Sequence, residues 1–271
     1  MDAPETIRFS LTVQYDGAAF HGWQIQPDQR TVQGLLQETL ARLGDRPCTV
    51  IGSGRTDTGV HATGQVASVD MPASWNSSDL LRSLNAMLPD DVRIAAVAAA
   101  RHDFHPRYDA VARTYEYRIG SSPDASSPFH RRWCWPLTDP LDEALLASGA
   151  SALPGRHSFR AFAKSGQPER GEECTVHEAT WSEWSHGPRF TITADRYLHH
   201  MVRYLVGTMV DVARGRRPPS DVRGLLENDP ELTTSPPAPP EGLFLSRVEY
   251  PDSVLLGEDA HPSHTRSTQP A

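Results

Sequence analysis

Lysine is almost missing: among 26 basic residues only Lys164 is lysine, so arginine carries nearly all the positive charge. Arginine presents a planar fork of donors suited to phosphate, carboxylate and base edges, although a preference for Arg codons would leave the same mark. Cysteine is scarce. Cys48, Cys134 and Cys174 are odd in number and far apart, which excludes a disulfide framework and a Cys-rich zinc site. No apolar run approaches the roughly 18 residues of a membrane span, and the first five residues hold neither the basic nor the apolar part of a secretion signal. Positive charge is also short overall, 26 Lys plus Arg against 34 Asp plus Glu for a net -8. That balance argues against indiscriminate nucleic-acid binding. Locally it reverses, since residues 101–135 contain six Arg against four Asp plus Glu. The expectation is a soluble, intracellular, cytoplasmic protein. Its 271 residues make one large domain or two, at about 150 residues each.

Residues 7–15 alternate strictly, with Ile7, Phe9, Leu11, Val13 and Tyr15 on one face, which predicts a half-buried strand. Helical spacing over 31–43 follows Thr31 as N-cap and stops at Gly44. Short strands near 48–52 and 65–71, a helix near 79–88 and a strand near 92–98 complete a β-α-β-β-α-β order. The second half repeats it. A strand runs over 110–119, and a helix starts at Asp139-Pro140 and reaches about Leu153. A hairpin joins 175–184 to 189–195, a helix spans 197–213, a short helix covers 220–227, and a last strand follows over 243–250. The predicted fold class is α+β: two ferredoxin-like units with mainly antiparallel sheets flanking a central cleft. They divide at 1–105 and 106–251, with a disordered tail over 252–271.

Chemistry concentrates in Gly52-Ser53-Gly54-Arg55-Thr56-Asp57-Thr58-Gly59-Val60-His61. Its glycines permit tight turns and close backbone approach around one carboxylate and one guanidinium, yet Gly, Ser, Thr and Asp suit any loop. It lacks the Gly-Lys-Ser/Thr of a phosphate-binding loop and opens no helix, so a dinucleotide fingerprint fails. Asp57-Thr58-Gly59 spells the aspartic-protease tripeptide, but that chemistry needs two such aspartates sharing a proton. On the strand over 110–119, Arg113, Tyr115 and Tyr117 share a face, which is also what cross-strand pairing on a sheet surface would produce. In Tyr197-Leu198-His199-His200-Met201-Val202-Arg203, Arg203 borders an apolar stripe and its charge wants a partner unless it snorkels to water. His199 and His200 are poor metal ligands, because adjacent histidines point to different sides of a helix and no Cys, Asp or Glu sits at ligand spacing on the same segment. His102 and His105 read as linker residues. No metal site is expected.

Taken in order, Tyr15-Asp16-Gly17, Gly22-Trp23-Gln24, Thr31-Val32-Gln33, Gly54 to Ala62, Phe104-His105, Ala112-Arg113 with Tyr115, Ser158-Phe159-Arg160, His199 to Arg203 and Glu241-Gly242-Leu243 resemble the bacterial tRNA pseudouridine synthase A family. The resemblance covers residues 7–250. Thr58 departs from it, standing where many members carry Ala. It implies an isomerase, without cofactor or metal, that converts uridines at positions 38 to 40 of the tRNA anticodon stem-loop to pseudouridine as a homodimer. It also implies Asp57 as nucleophile, Tyr115 as active-site phenol, Arg203 as the carboxylate's partner, Arg55 in base extrusion and Phe159 as a stacking neighbour. Phosphate contacts are expected from Arg82, Arg113, Arg131, Arg132, Arg160 and Lys164. A non-catalytic RNA-binding or tRNA-chaperone module is the runner-up reading, and a dimeric aspartic protease the third.

Overall fold

The computed structural model describes residues 6–164 and 171–254. β1 (Thr6–Tyr15) buries Phe9, Leu11, Val13 and Tyr15, as the alternation requires. α1 (Val32–Gly44) starts where Thr31 accepts a hydrogen bond from the Gly34 amide. It runs one residue past the expected stop. Gly44 stays helical, and Asp45 takes the left-handed turn at φ 51. β2 (Ile51–Gly52) is only two residues long, whereas β3 (His61–Pro72) is longer than expected. α2 (Ser77–Met87) opens two residues early, capped by Asn76 on the Asp79 amide, and β4 (Val92–Ala99) follows.

In the second half come β5 (Ala112–Gly120), β6 (Trp135–Pro136), α3 (Glu143–Ser151) and β7 (Gly155–Ser158). β8 (Glu173–Trp184), β9 (Gly187–Ala194), α4 (Met201–Ala213), α5 (Asp221–Leu226) and β10 (Leu243–Glu249) complete the set. Two helix starts differ from expectation. α3 is capped by Asp142, which accepts from the Leu145 amide, because Asp139 is taken by ion pairs to Arg214 and Arg216. α4 begins four residues late, after His200 at φ 64. That left-handed residue cannot continue a right-handed helix.

All these strands belong to one mostly antiparallel ten-stranded sheet, not two. Its main order is β4-β1-β3-β10-β5-β9-β8-β7, with β2 on β3 and β6 on β5. The join lies at β3. Its start, His61 and Ala62, pairs in parallel with Phe244 and Leu245 of β10, while Ala67 and Ser68 further along pair with β2. The loop between β2 and β3 therefore emerges where these two neighbours part. Two apolar cores exchange residues across the join: Val60 packs in the second core, Leu245 and Val248 in the first. Tyr115 borders both. The expected tail is ordered at its start, where residues 252–254 form a 3-10 turn, Val254 is buried and its carbonyl accepts from the Arg101 amide. The rest of that tail, from 255 on, lies outside the described residues.

Candidate active site

The loop after β2 is held at both ends. Ser53 donates to the Gln65 side chain (2.7 Å), and Gln65 donates back to the Gly54 carbonyl (2.9 Å). Thr56 meets the Tyr15 hydroxyl (2.7 Å), and its carbonyl accepts from the Trp23 amide (3.0 Å). Gly22 (φ 83) allows that approach, because a Cβ there would sit 2.6 Å from the Thr56 oxygen. The Val60 amide donates to the Asp57 carbonyl (3.1 Å) and closes the turn. The loop's conformation thus follows from β1, the 20–23 segment and β3 together.

From that turn Asp57, 26% exposed, meets the segment leading into α4. Oδ1 lies 3.3 Å from His199 Nε2, and Oδ2 lies 3.2 Å from His200 Nε2 and 3.7 Å from Arg203 Nη1. Arg203 is itself fixed, donating through Nε to the Ala238 carbonyl (2.7 Å). The carboxylate sits at the N-terminal end of α4, where the helix dipole favours negative charge. Burial lowers the His200 imidazole below its ordinary value; Asp57 opposes this, and His199, Arg203 and Lys164 reinforce it. The half-buried Tyr115 ring packs edge-on against Tyr197 at 4.8 Å. Its phenol is pushed up to about 12 by burial, with Arg113 pulling down and the Asp57 charge pushing further up. A phenol, an ionisable carboxylate and a guanidinium from both halves of the chain thus come within electrostatic reach of one another. Such a set offers a nucleophile with a neutral proton-bearing partner beside it.

Other expected residues fare differently. Arg55 is exposed and, among the described residues, has no hydrogen bond or ion pair. Lys164 is exposed beside His199, whose carbonyl accepts from its amide. Arg160 is exposed and faces Glu172 at 3.8 Å. Arg131 and Arg132, with Pro239 and Glu241, line a surface cavity of about 520 Å³, and Arg132 also pairs with Asp16 at 2.6 Å. Arg82 pairs with Asp79 on α2, which packs against β4 and α1. Arg113 donates to the carbonyls of Ser53 (3.0 Å), Asp195 (3.0 Å) and Arg107 (2.7 Å) and straps the loop to the second half. One expectation is corrected by burial. Phe159 offers no face to a base, since its ring is wholly buried in the second core beside Phe162.

The histidines are the residues sequence reasoning undervalued. They precede α4 instead of lying on it, and the left-handed turn at His200 brings both imidazoles to the same carboxylate. The signal was two adjacent polar residues just ahead of the apolar stripe.

A family model described as tRNA pseudouridine synthase matches residues 11–109 and 150–251, segments that hold Asp57 and Arg203. Curated relatives described as tRNA pseudouridine synthase A match along almost their whole length. That of Exiguobacterium sibiricum is 37% identical, covering 91% of this chain and 98% of the relative. Those of Cereibacter sphaeroides and Moorella thermoacetica are each 39% identical, over 90% and 89% of this chain and 97% and 98% of theirs.

Proposed function

The chain belongs to the tRNA pseudouridine synthase family, isomerases acting on tRNA, and on that premise we propose that it converts uridines 38 to 40 of the anticodon stem-loop to pseudouridine with Asp57 as nucleophile. The reaction breaks the N1–C1′ bond, turns the uracil over, joins C5 to the same C1′ and releases the C5 proton. Nothing is oxidised or hydrolysed in net. Such chemistry asks for a charged carboxylate against sugar and base and for a group that holds a proton nearby. The observation that carries the reading is Asp57 held among His199, His200 and Arg203.

In this reading Arg203 pairs with the Asp57 carboxylate, and Tyr115 stays protonated at neutral pH, able to stack on uracil and to hand over a proton. A base within a stem must leave the stack, at a cost of a few kcal/mol, and the unpaired Arg55 fills the gap. Arg131, Arg132, Arg160 and Lys164 supply phosphate contacts. The strand orders β4-β1-β3-β2 and β10-β5-β9-β8 support two ferredoxin-like units, 1–105 and 106–251, with the site in a cleft between them. A cytoplasmic homodimer without a cofactor completes the proposal. No helix among the described residues is long and apolar enough to cross a membrane.

Tritium release from tRNA labelled at uracil C5, with pseudouridine mapped in the product, tests the assignment. Asp57→Asn keeps the size of the side chain and loses its nucleophilicity, so tRNA binding should stay near wild type while turnover falls by orders of magnitude. Equal release by both proteins refutes the role given to Asp57.

A further inference from the structure

The carboxylate at the centre of the site has two imidazole neighbours that nucleophilic chemistry does not require. The ligand atoms of Asp57, His199 and His200 all lie within 4.8 Å of one another. The nitrogen–oxygen separations are 3.3 and 3.2 Å. Ligands about 2.1 Å from a tetrahedral zinc ion stand roughly 3.4 Å apart along each edge. Each imidazole thus stands at about edge distance from a carboxylate oxygen before any ion arrives, His199 from Oδ1 and His200 from Oδ2. His199 is more than half exposed, which gives an ion a route in and leaves room for water as the fourth ligand.

We infer that Asp57, His199 and His200 form a binding site for a divalent transition metal, and that Zn2+ held there inhibits the enzyme. The ion engages both imidazoles and the Asp57 carboxylate, whose Oδ1 faces His199 and whose Oδ2 faces His200, so the carboxylate is no longer free to attack. Binding rests on geometry alone; inhibition rests also on the proposed role of Asp57. Two nitrogens and one oxygen select Zn2+, Co2+ or Ni2+ over Mg2+, which prefers octahedral oxygen ligands. The Mg2+ that accompanies folded RNA is therefore not a competitor. Arg203 must yield its 3.7 Å contact with Oδ2 but keeps its bond to the Ala238 carbonyl. A guanidinium left beside a dication weakens the site, which suits reversible inhibition and not a resident cofactor.

Co2+ titrated into the full-length protein without RNA reads the site directly. The expected result is a single saturable set of visible bands with four-coordinate intensity, displaced by Zn2+ and unaffected by Mg2+. His199→Ala should abolish them, as should Asp57→Asn, with near-ultraviolet circular dichroism showing that each variant is folded. Absence of bands in the wild type, or undiminished bands in folded His199→Ala, overturns the inference whatever the enzyme's activity. In the tritium assay, with each protein normalised to its own metal-free rate, Zn2+ should inhibit the wild type and a chelator should restore it. His199→Ala should need at least ~10-fold more Zn2+ for half inhibition, since even lesser disturbances of a metal site cost 10–100-fold in affinity. Equal sensitivity in the two proteins overturns the inhibitory role. Tritium release without a cobalt site refutes this inference alone, and a cobalt site without tritium release refutes only the proposed function.

Discussion

Arg203 joins two parts of the molecule with one side chain, its Nε bonded to the Ala238 carbonyl at 2.7 Å and its Nη1 standing 3.7 Å from Asp57. Removing it frees a carbonyl and takes the only guanidinium among the described residues away from the carboxylate. Interactions of this kind with a charged group are worth about 1.5–3 kcal/mol, which corresponds to a ~10–150-fold loss of rate. Arg203→Ala should lower kcat by that order in single-turnover assays, with tRNA affinity much less affected. Arg203→Lys should recover part of the loss, because an ammonium restores charge without the fork that reaches both partners. A kcat for Arg203→Ala equal to wild type would remove the guanidinium from the mechanism. The Asp57 loop is visible in the chain by its composition, whereas the pairing of Asp57 with Arg203 was implied only by the family resemblance. The strap role of Arg113 is not visible there, because an arginine bound to the backbone and a phosphate ligand look alike until its three carbonyl partners are seen.

At the scale of elements, the loop between β2 and β3 depends on backbone approach more than on its own sequence. Gly22 makes the case: its φ of 83 and the 2.6 Å separation of a Cβ from the Thr56 oxygen leave no room for a side chain. Gly22→Ala should cost about 1–3 kcal/mol of stability from the strained backbone alone. It should reduce turnover beyond that by displacing the peptide next to Asp57. Gly54, in the same loop, has open space around its Cα, and Gly54→Ala should change stability by no more than about 0.5 kcal/mol. Thermal melts and tritium release on the pair separate the two, and equal melts would mean that the loop's position does not depend on Gly22. Element existence was legible because alternation in β1 and the 3.6 period of α1 are local consequences of burial. The starts of α3 and α4 were not, because Asp139 is claimed by arginines beyond α4 and His200 by a carboxylate from the other half of the chain.

For the molecule as a whole, five of seven tyrosines share one behaviour. Burial raises the phenols of Tyr15, Tyr115, Tyr117, Tyr197 and Tyr250 above the ordinary value of 10.0. Below pH 10 each is neutral in folded and unfolded chains alike, so the folded state suffers no penalty. As pH rises past 10 the unfolded chain ionises first, and stability drains away until the folded phenols themselves titrate, near 12 for Tyr115. The melting temperature should therefore hold steady up to about pH 10 and fall steeply above it. The absorbance of these tyrosines near 295 nm should rise together with unfolding, as checked by far-ultraviolet circular dichroism. Ionisation of all seven well before unfolding would contradict the burial described here. Two of these phenols tie distant segments of the second half together. Tyr117 donates to the Pro239 carbonyl (2.8 Å) and Tyr250 to that of Pro106 (2.7 Å), so their loss is cooperative.

The residue order by itself determined the α+β class and most strand and helix positions, because periodicity and capping act over a few residues; that Asp57, Tyr115 and Arg203 belong together was implied only by the family resemblance. Tertiary structure decided what depends on partners distant along the chain. It merged two expected sheets into one by inserting β10 between β3 and β5. It also withdrew Phe159 from the surface, bound Arg113 to the Ser53 carbonyl and turned His199 and His200 onto Asp57. The physical reason is that a side chain's charge and size are local properties, whereas the atoms that satisfy its hydrogen bonds, or exclude water from it, come from wherever the chain returns.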